Sequence, residues 1–174
     1  MERLGTRTVY SNAWMTVRED RVRWPNGSVG IYGVVDKPDF VIVVPRAEDG
    51  FWLVEQYRYT IGRRAWEFPQ GSWSGKPLGD QYALARLELA EETGLVPGEL
   101  RHLGHIYEAY GFCSQGGDVF LARGLTAGRP QREPTEQDMV HRLVTDREFE
   151  TMARAGEIVD AGTLAAHALY LMEG

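Results

Sequence analysis

The sequence predicts a mixed α/β domain, and three observations carry that expectation. The chain has 174 residues, the length of one ordinary domain. Short runs rich in β-branched and aromatic residues, separated by turn signals, fill the first third and recur after residue 100. Three segments of helix-forming composition lie between and behind them. No repeat, low-complexity tract or Pro-rich linker divides the chain.

The elements follow in order. Thr6 to Tyr10 reads as a short strand. Met15 to Trp24 alternates roughly and meets the turn signal Pro25-Asn26-Gly27, and Ser28 to Val35 returns as the second arm of a hairpin. Phe40-Val41-Ile42-Val43-Val44 is apolar at every position, the pattern of a strand covered on both faces. Glu48-Asp49-Gly50 turns the chain, and Phe51 to Tyr57 brings it back. A Gly-rich loop spans residues 71–79 (Gly71-Ser72-Trp73-Ser74-Gly75-Lys76-Pro77-Leu78-Gly79), and a helix runs from about Asp80, a fair N-cap, to Thr93, with Gly94 as its stop. Further strands are expected at Arg101–Tyr107, Asp118–Ala122 and Met139–Val144. Thr145-Asp146-Arg147-Glu148 has capping-box spacing and starts a helix to about Ala155. Asp160 or Thr163 starts the last one.

Composition narrows the function. Hydrophobic residues make up 43% and charged residues 25%, so the chain can bury a core and is not expected to be disordered. No apolar run spans a bilayer, and the first twenty residues are mixed and charged, so neither a membrane span nor a secretory leader is expected. The single cysteine, Cys113, cannot close an internal disulfide, which makes a reducing, cytoplasmic setting the default. A net charge of −6 argues against a general nucleic-acid binder, whose phosphate contacts need clustered Lys and Arg. It leaves room for a small phosphorylated substrate, because a bound divalent cation supplies the positive charge.

The chemistry concentrates in Glu88-Leu89-Ala90-Glu91-Glu92-Thr93-Gly94-Leu95. Glu88, Glu91 and Glu92 stand at i, i+3 and i+4, so three carboxylates project from one stripe of a helix. Like charges so placed repel by about 0.2–0.5 kcal/mol per exposed pair. A solvated acidic face gives the same spacing. Against it stand the apolar Leu84, Leu87, Leu89 and Ala90, which lead us to expect a helix packed on more than one side, and a Gly-rich loop whose amides can approach an anion. A hard divalent cation takes one or two carboxylates, waters and substrate phosphates, which fits such a stripe.

These residues resemble the second half of the Nudix box. The family pattern is Gly, five residues, Glu, seven residues, then Arg-Glu-U-x-Glu-Glu-x-Gly-U, where U is a bulky aliphatic. Gln56-Tyr57-Arg58-Tyr59, Trp66-Glu67-Phe68-Pro69-Gln70-Gly71 and Gly156-Glu157-Ile158-Val159-Asp160-Ala161-Gly162-Thr163 are similar to segments of the ADP-ribose pyrophosphatase branch. The resemblance covers most of residues 35–172. It departs at Leu87, where the family has Arg (Arg86 lies one place earlier), and at Gly79, where the family has a loop Glu beside the position of Asp80; Gly71 also lies two residues too far from the helix. Asp80 is a candidate to stand in for the loop acid.

The resemblance implies an α/β/α sandwich with a mixed sheet, formed by residues 39–174, and an N-terminal β-rich segment, residues 1–38, used for homodimerisation. It implies Mg²⁺- or Mn²⁺-dependent cleavage of the pyrophosphate bond of a nucleoside diphosphate joined to another moiety, ADP-ribose or a nucleotide sugar foremost, giving a nucleoside monophosphate and a phosphorylated sugar. The implied metal ligands are Glu88, Glu91, Glu92 and the Gly71 backbone, with Glu91 bridging or acting as local base. Glu133, Glu136 and Asp138 compete for the role of catalytic base, and Glu136 is preferred. Arg58, Glu67, Tyr57 and Gln70 are the implied substrate contacts; an edge-strand ion pair or a dimer contact is the alternative for Arg58, a metal-bound water or Arg58 is the partner expected for Glu67, and simple packing is the alternative for Tyr57. A catalytically weak Nudix-like sensor that binds a nucleotide, and an enzyme acting on a non-nucleotide diphosphate, are the competing readings.

Other signals carry less. Gly71 to Pro77 falls one residue short of a Walker A loop and has Pro77 where Ser or Thr would hold the metal. Cys113 has no activating neighbour in sequence. His102 and His105, three apart on a strand, are expected on opposite faces and so not to bind zinc together.

Overall fold

A computed structural model describes residues 1–73, 79–132 and 136–173. In chain order the strands and helices are β1 (Glu2–Ser11), β2 (Thr16–Arg23), β3 (Val29–Asp36), β4 (Phe40–Pro45), β5 (Gly50–Arg58), β6 (Arg63–Glu67), β7 (Gln70–Ser72), α1 (Gln81–Thr93), β8 (Leu95–Val96), β9 (Glu99–Tyr107), β10 (Gly116–Arg123), β11 (Thr126–Ala127), β12 (Val140–Thr145), α2 (Asp146–Ala155) and α3 (Ala161–Leu171).

β4 is buried along its whole length, as its unbroken apolar run requires. Its alternate side chains enter two different cores. Ile42 and Val44 join Phe51, Leu53, Phe68, Phe149, Met152, Ile158 and Ala166. Val41 and Val43 face Leu84, Ala85 and Leu89 of α1. β10 divides the same way, with Val119 and Leu121 in the first core and Phe120 and Ala122 in the second. Helices therefore cover both faces of the sheet, α2 and α3 on one and α1 on the other. The sheet order is β7-β4-β10-β9, with β4 and β10 parallel and the outer pairs antiparallel, so it is mixed as expected. A second sheet, β12-β5-β6, holds Arg58 beside the turn of the β5–β6 hairpin and Glu67 at its open end, opposite Val54.

β1, β2 and β3 form a separate antiparallel sheet. Its central turn closes by Trp24 N–H donating to the Ser28 carbonyl at 2.8 Å, with Gly27 at φ 85°. β1 begins earlier than the sequence predicts because β2 pairs with it as far as Glu2 opposite Arg23. No helix among the described residues is long and apolar enough to cross a membrane.

The helix starts follow local chemistry. The Asp80 carboxylate accepts from Tyr82 N–H at 3.0 Å. Thr145 Oγ1 accepts from Glu148 N–H at 3.2 Å. The Glu148 carboxyl is held below its usual range, first by its hydrogen bond from Arg142. Asp160, not Thr163, caps α3: its Oδ2 accepts from both Thr163 N–H and Thr163 Oγ1–H at 2.7 Å.

Two expectations are corrected. His102 and His105 share a face, because the β9–β10 pairing slips between Val119 and Phe120; His102 Nε2 and His105 Nδ1 lie 2.8 and 3.2 Å from the same Asp118 oxygen. An irregular ladder breaks the two-residue alternation. α1 is packed on one side only, since Ala83, Arg86 and Leu87 are exposed.

Candidate active site

The buried side of α1 is a row of every fourth residue. Leu84 and Ala85 start it and Leu89 continues it, all at 1% exposure or less. Glu88 and Glu92 occupy the next two places on the Leu84 row. Two carboxylates thus stand where the packing pattern calls for apolar residues. Glu92 is 1% exposed, and neither of its carboxylate oxygens has a hydrogen-bond partner. Burial pushes its pKa well up; the charges of Glu88, Glu136 and Glu67 push the same way, and Arg58 opposes them. A buried carboxylate so placed is costly unless a proton or a cation joins it.

The partner of Glu88 is equally specific. A Cβ built on Gly71 would overlap the Glu88 carboxyl, so only the bare glycine backbone of β7 leaves room for that group. Gly71 is held there by its pairing with Val41 of β4. Glu88, Glu92 and the Gly71 backbone together offer oxygen donors, the set preferred by Mg²⁺ or Mn²⁺. Among the described residues no group of three or more His, Cys, Asp or Glu side chains forms a ready-made cation cage. A cation that keeps its waters and takes substrate oxygens does not require one.

Beside this row opens a cavity of about 760 Å³ lined by Arg58, Glu67, Gln70 and Gly71, among others. Glu67 is 1% exposed and fully engaged. Arg58 grips it with Nε, 3.0 Å from Oε2, and with Nη2 on Oε1, and Gln56 Nε2 donates to Oε1 at 2.8 Å. Burial raises the Glu67 pKa and Arg58 pulls it back. The Arg58 side chain is 39% exposed and lines the cavity. Gln70 Nε2 donates to Asp160 Oδ2 at 3.4 Å, which ties the floor of the cavity to the start of α3. Thr163 Oγ1 accepts from Phe68 N–H at 2.9 Å and fixes the same corner.

The segment carrying Glu136 is fastened to the end of α1. Gln131 N–H donates to the Glu91 carbonyl at 2.9 Å, and Arg132 Nε donates to the Glu92 carbonyl at 3.0 Å. These bonds satisfy carbonyls that a helix end leaves open. Met139, buried at 1%, anchors the far side, its N–H reaching the Glu136 carbonyl at 3.0 Å. Glu133 and the loop residues 74–78 lie outside the described residues.

The structure therefore brings together Arg58, Glu67, Gln70, Gly71, Glu88, Glu92 and, through its charge, Glu136. Glu91 is half-buried on the flank of the row. Tyr57 is 49% exposed and does not line the cavity, because neighbours on a strand point to opposite faces and Arg58 takes the inner one. Asp80 is exposed and spends its carboxylate on Tyr82, and Arg86 reaches the Pro97 carbonyl at 3.1 Å. The cation whose charge acts on Glu92 is instead Arg58. Sequence reasoning read Asp160 as a helix start and missed it as a cavity residue. Its spacing from Thr163 was the available signal. Glu108, also in the wall, gave none.

Comparison with known proteins fits this geometry. Residues 36–168 match the NUDIX domain, and residues 1–35 match the nucleoside diphosphate sugar hydrolase N-terminal domain. The chain is similar to the ADP-ribose pyrophosphatase of Mycobacterium tuberculosis (strain ATCC 25618 / H37Rv), with 35% identity across 97% of this chain and 84% of the relative. It is also similar to the CMP-5'-(N-acetyl-N-hydroxy-3-aminopropyl)phosphonate hydrolase of Streptomyces rubellomurinus (strain ATCC 31215), with 27% identity across 91% of this chain and 76% of the relative. A solved structure described as an ADP compounds hydrolase shares the fold, with a TM-score of 0.85 at 20% identity, covering 99% of this chain and 91% of that one. A carboxylate row on α1, seated against a glycine and bordering a cavity, thus lies within a domain matched over 133 residues, and the chain belongs to the Nudix family as a Nudix hydrolase.

Proposed function

We propose that this chain hydrolyses the diphosphate bond of ADP-ribose or a closely similar nucleoside diphosphate derivative, with Mg²⁺ or Mn²⁺ held by Glu88, Glu92 and the Gly71 backbone. The observation that carries this reading is Glu92, a carboxylate with no hydrogen-bond donor, buried among other carboxylates. The printed activity of the mycobacterial relative supports the substrate class. The bound cation would neutralise phosphate charge and make a water easier to ionise. Arg58, fixed by Glu67 in the cavity wall, meets the diphosphate with its guanidinium charge. Gln70 orients the substrate at the cavity floor. Glu136, with Glu91 as the second candidate, accepts the proton of the attacking water. The buried sheet and both helix layers hold these groups on rigid elements, which is what positioning an in-line attack requires.

The test is to incubate the protein with ADP-ribose, GDP-mannose or NADH in the presence of Mg²⁺ and to separate the products. AMP from ADP-ribose is the expected result. The departures at Leu87 and Gly79 favour one rival, a catalytically weak module. Tight nucleotide binding without product in any divalent metal would establish that rival.

We also propose that residues 1–38 mediate a homodimer. Val9, Val29 and Ile31 are 47%, 56% and 67% exposed on a sheet that, among the described residues, contributes nothing to either core cluster. Sedimentation equilibrium is expected to give twice the chain mass, and a monomer at micromolar concentration would contradict the proposal.

A further inference from the structure

Arg132 stands where three parts of the site meet. Its guanidinium donates from every nitrogen: Nε to the Glu92 carbonyl at 3.0 Å, Nη1 to the Met139 carbonyl, and Nη2 to His141 Nδ1 at 2.8 Å. Each acceptor adjoins a group that the proposed reaction uses. The Glu92 carbonyl is the main chain of the buried cation ligand, in the last turn of α1. Met139 is buried, and its N–H bonds the Glu136 carbonyl at 3.0 Å. His141 stands opposite Val54, and Val54 stands opposite Glu67, so one row across β12, β5 and β6 runs from His141 to the carboxylate that holds Arg58. The Arg132 backbone is fixed as well: Gln131 N–H reaches the Glu91 carbonyl, and Gln137 Nε2 donates to the Arg132 carbonyl, each at 2.9 Å.

These acceptors are two carbonyls and an imidazole, so the contacts draw on shape more than on charge pairing. A guanidinium is planar and its donors diverge at fixed angles, so the groups it bonds are set relative to one another. A lysine ammonium gathers its donors at one point on a flexible stem and cannot span the same acceptors. Burial, and next the Arg132 charge, lowers the His141 pKa, so at neutral pH the ring is uncharged and its Nδ1 lone pair is open to the Arg132 donor. The ring lies beside Trp52, with centroids 5.7 Å apart. The Glu136 charge acts on Glu92, so a shift of Glu136 changes its reach to the cation site.

We propose that Arg132 is a positioning residue, which sets Glu136 against the Glu92 end of α1 so that this base reaches the attacking water. The inference rests on the hydrolase reading above, in which Glu136 takes that proton, and adds the group that places it.

A double-mutant cycle on ADP-ribose hydrolysis tests it, with Arg132→Lys, Glu136→Gln and the two combined. Glu136→Gln is expected to lower kcat by about 10²-fold or more. Arg132→Lys is expected to lower kcat about tenfold with KM within about threefold, because a displaced base costs rate and leaves substrate binding in place. The combined variant should match Glu136→Gln within about twofold, since a residue that acts through Glu136 then has nothing left to place. Losses that multiply would make Arg132 an independent contributor and overturn the proposal, as would full activity in Arg132→Lys. Mn²⁺ uptake is expected to be unchanged in Arg132→Lys; lost uptake would show that Arg132 supports the end of α1 instead, and would overturn it too. Full activity in Glu136→Gln beside a slow Arg132→Lys overturns the inference and leaves the hydrolase reading standing. If the wild-type chain releases no AMP, the hydrolase reading falls by itself, and hydrogen exchange at the Met139 amide decides the placement of Glu136. Faster exchange in Arg132→Lys upholds it, and unchanged exchange overturns it. If Arg132→Lys melts well below wild type, His141→Phe, which removes the acceptor and keeps a ring beside Trp52, takes its place in the cycle.

Discussion

Glu92→Gln is expected to abolish turnover and, without metal, to make the protein more stable. Both effects come from one carboxylate. With a divalent cation present, losing a charged oxygen ligand costs several kcal/mol of transition-state stabilisation, on the order of 10³-fold in kcat. Without the cation, Glu92 is a buried acid facing Glu88, Glu136 and Glu67. Its folded-state pKa lies well above the unfolded value, so the folded state holds a proton that the unfolded chain has released. The stability it contributes is complete below the unfolded carboxyl range and declines as pH rises from there through the raised folded pKa. The metal-free wild type should therefore lose stability with rising pH over that window. Glutamine, which cannot ionise, removes this dependence. At pH 8 the variant is expected to gain about 1–3 kcal/mol, a rise of roughly 2–10 °C in Tm. Thermal melts in chelator at several pH values measure this directly. A variant that is less stable than wild type throughout, or equally active, would show that Glu92 serves as a structural group.

Gly71→Ala is expected to cost activity while leaving the fold intact. The new methyl group would meet the tip of the Glu88 side chain, a flexible group that can swing aside. Gly71 has no positive φ, so alanine fits the β7 backbone without strain. Displacing a ligand by about 1 Å at a site that depends on alignment costs on the order of 10²-fold in rate. The Tm should stay within about 2 °C of wild type, since the altered contact lies at a half-exposed edge. Activity assays beside melts separate the two outcomes. Full activity in Gly71→Ala would mean that the seating of Glu88 against β7 is incidental.

Where function depends on local spacing, the sequence disclosed it. Glu88, Glu91 and Glu92 share a stripe because helical geometry is fixed by three or four residues, and Thr145 and Asp160 cap helices for equally local reasons. The fully apolar run of β4 announced its two covered faces. What spacing does not contain is the direction in which a stripe points. That Glu88 and Glu92 extend the buried Leu84 row, while Ala83 and Leu87 face out, depends on how α1 meets β4 and β10. The placement of Tyr57 outside the cavity follows from the choice of inner face for Arg58, settled by its pair with Glu67 across the hairpin. His102 and His105 came together through an irregular register that alternation cannot foresee. Glu108 meets Asp160 and Gly162 across more than fifty residues of chain, a contact that only the packing of α3 on the sheet creates.

Titration of the metal-free chain with Mn²⁺, followed by electron paramagnetic resonance with and without ADP-ribose, reaches the core of this account most directly. Wild-type protein should take up the ion, uptake should tighten with the nucleotide present, and Glu92→Gln should lose most of it. Uptake that is nil under both conditions, or identical in wild type and Glu92→Gln, would contradict the assignment of the α1 carboxylates as the cation site.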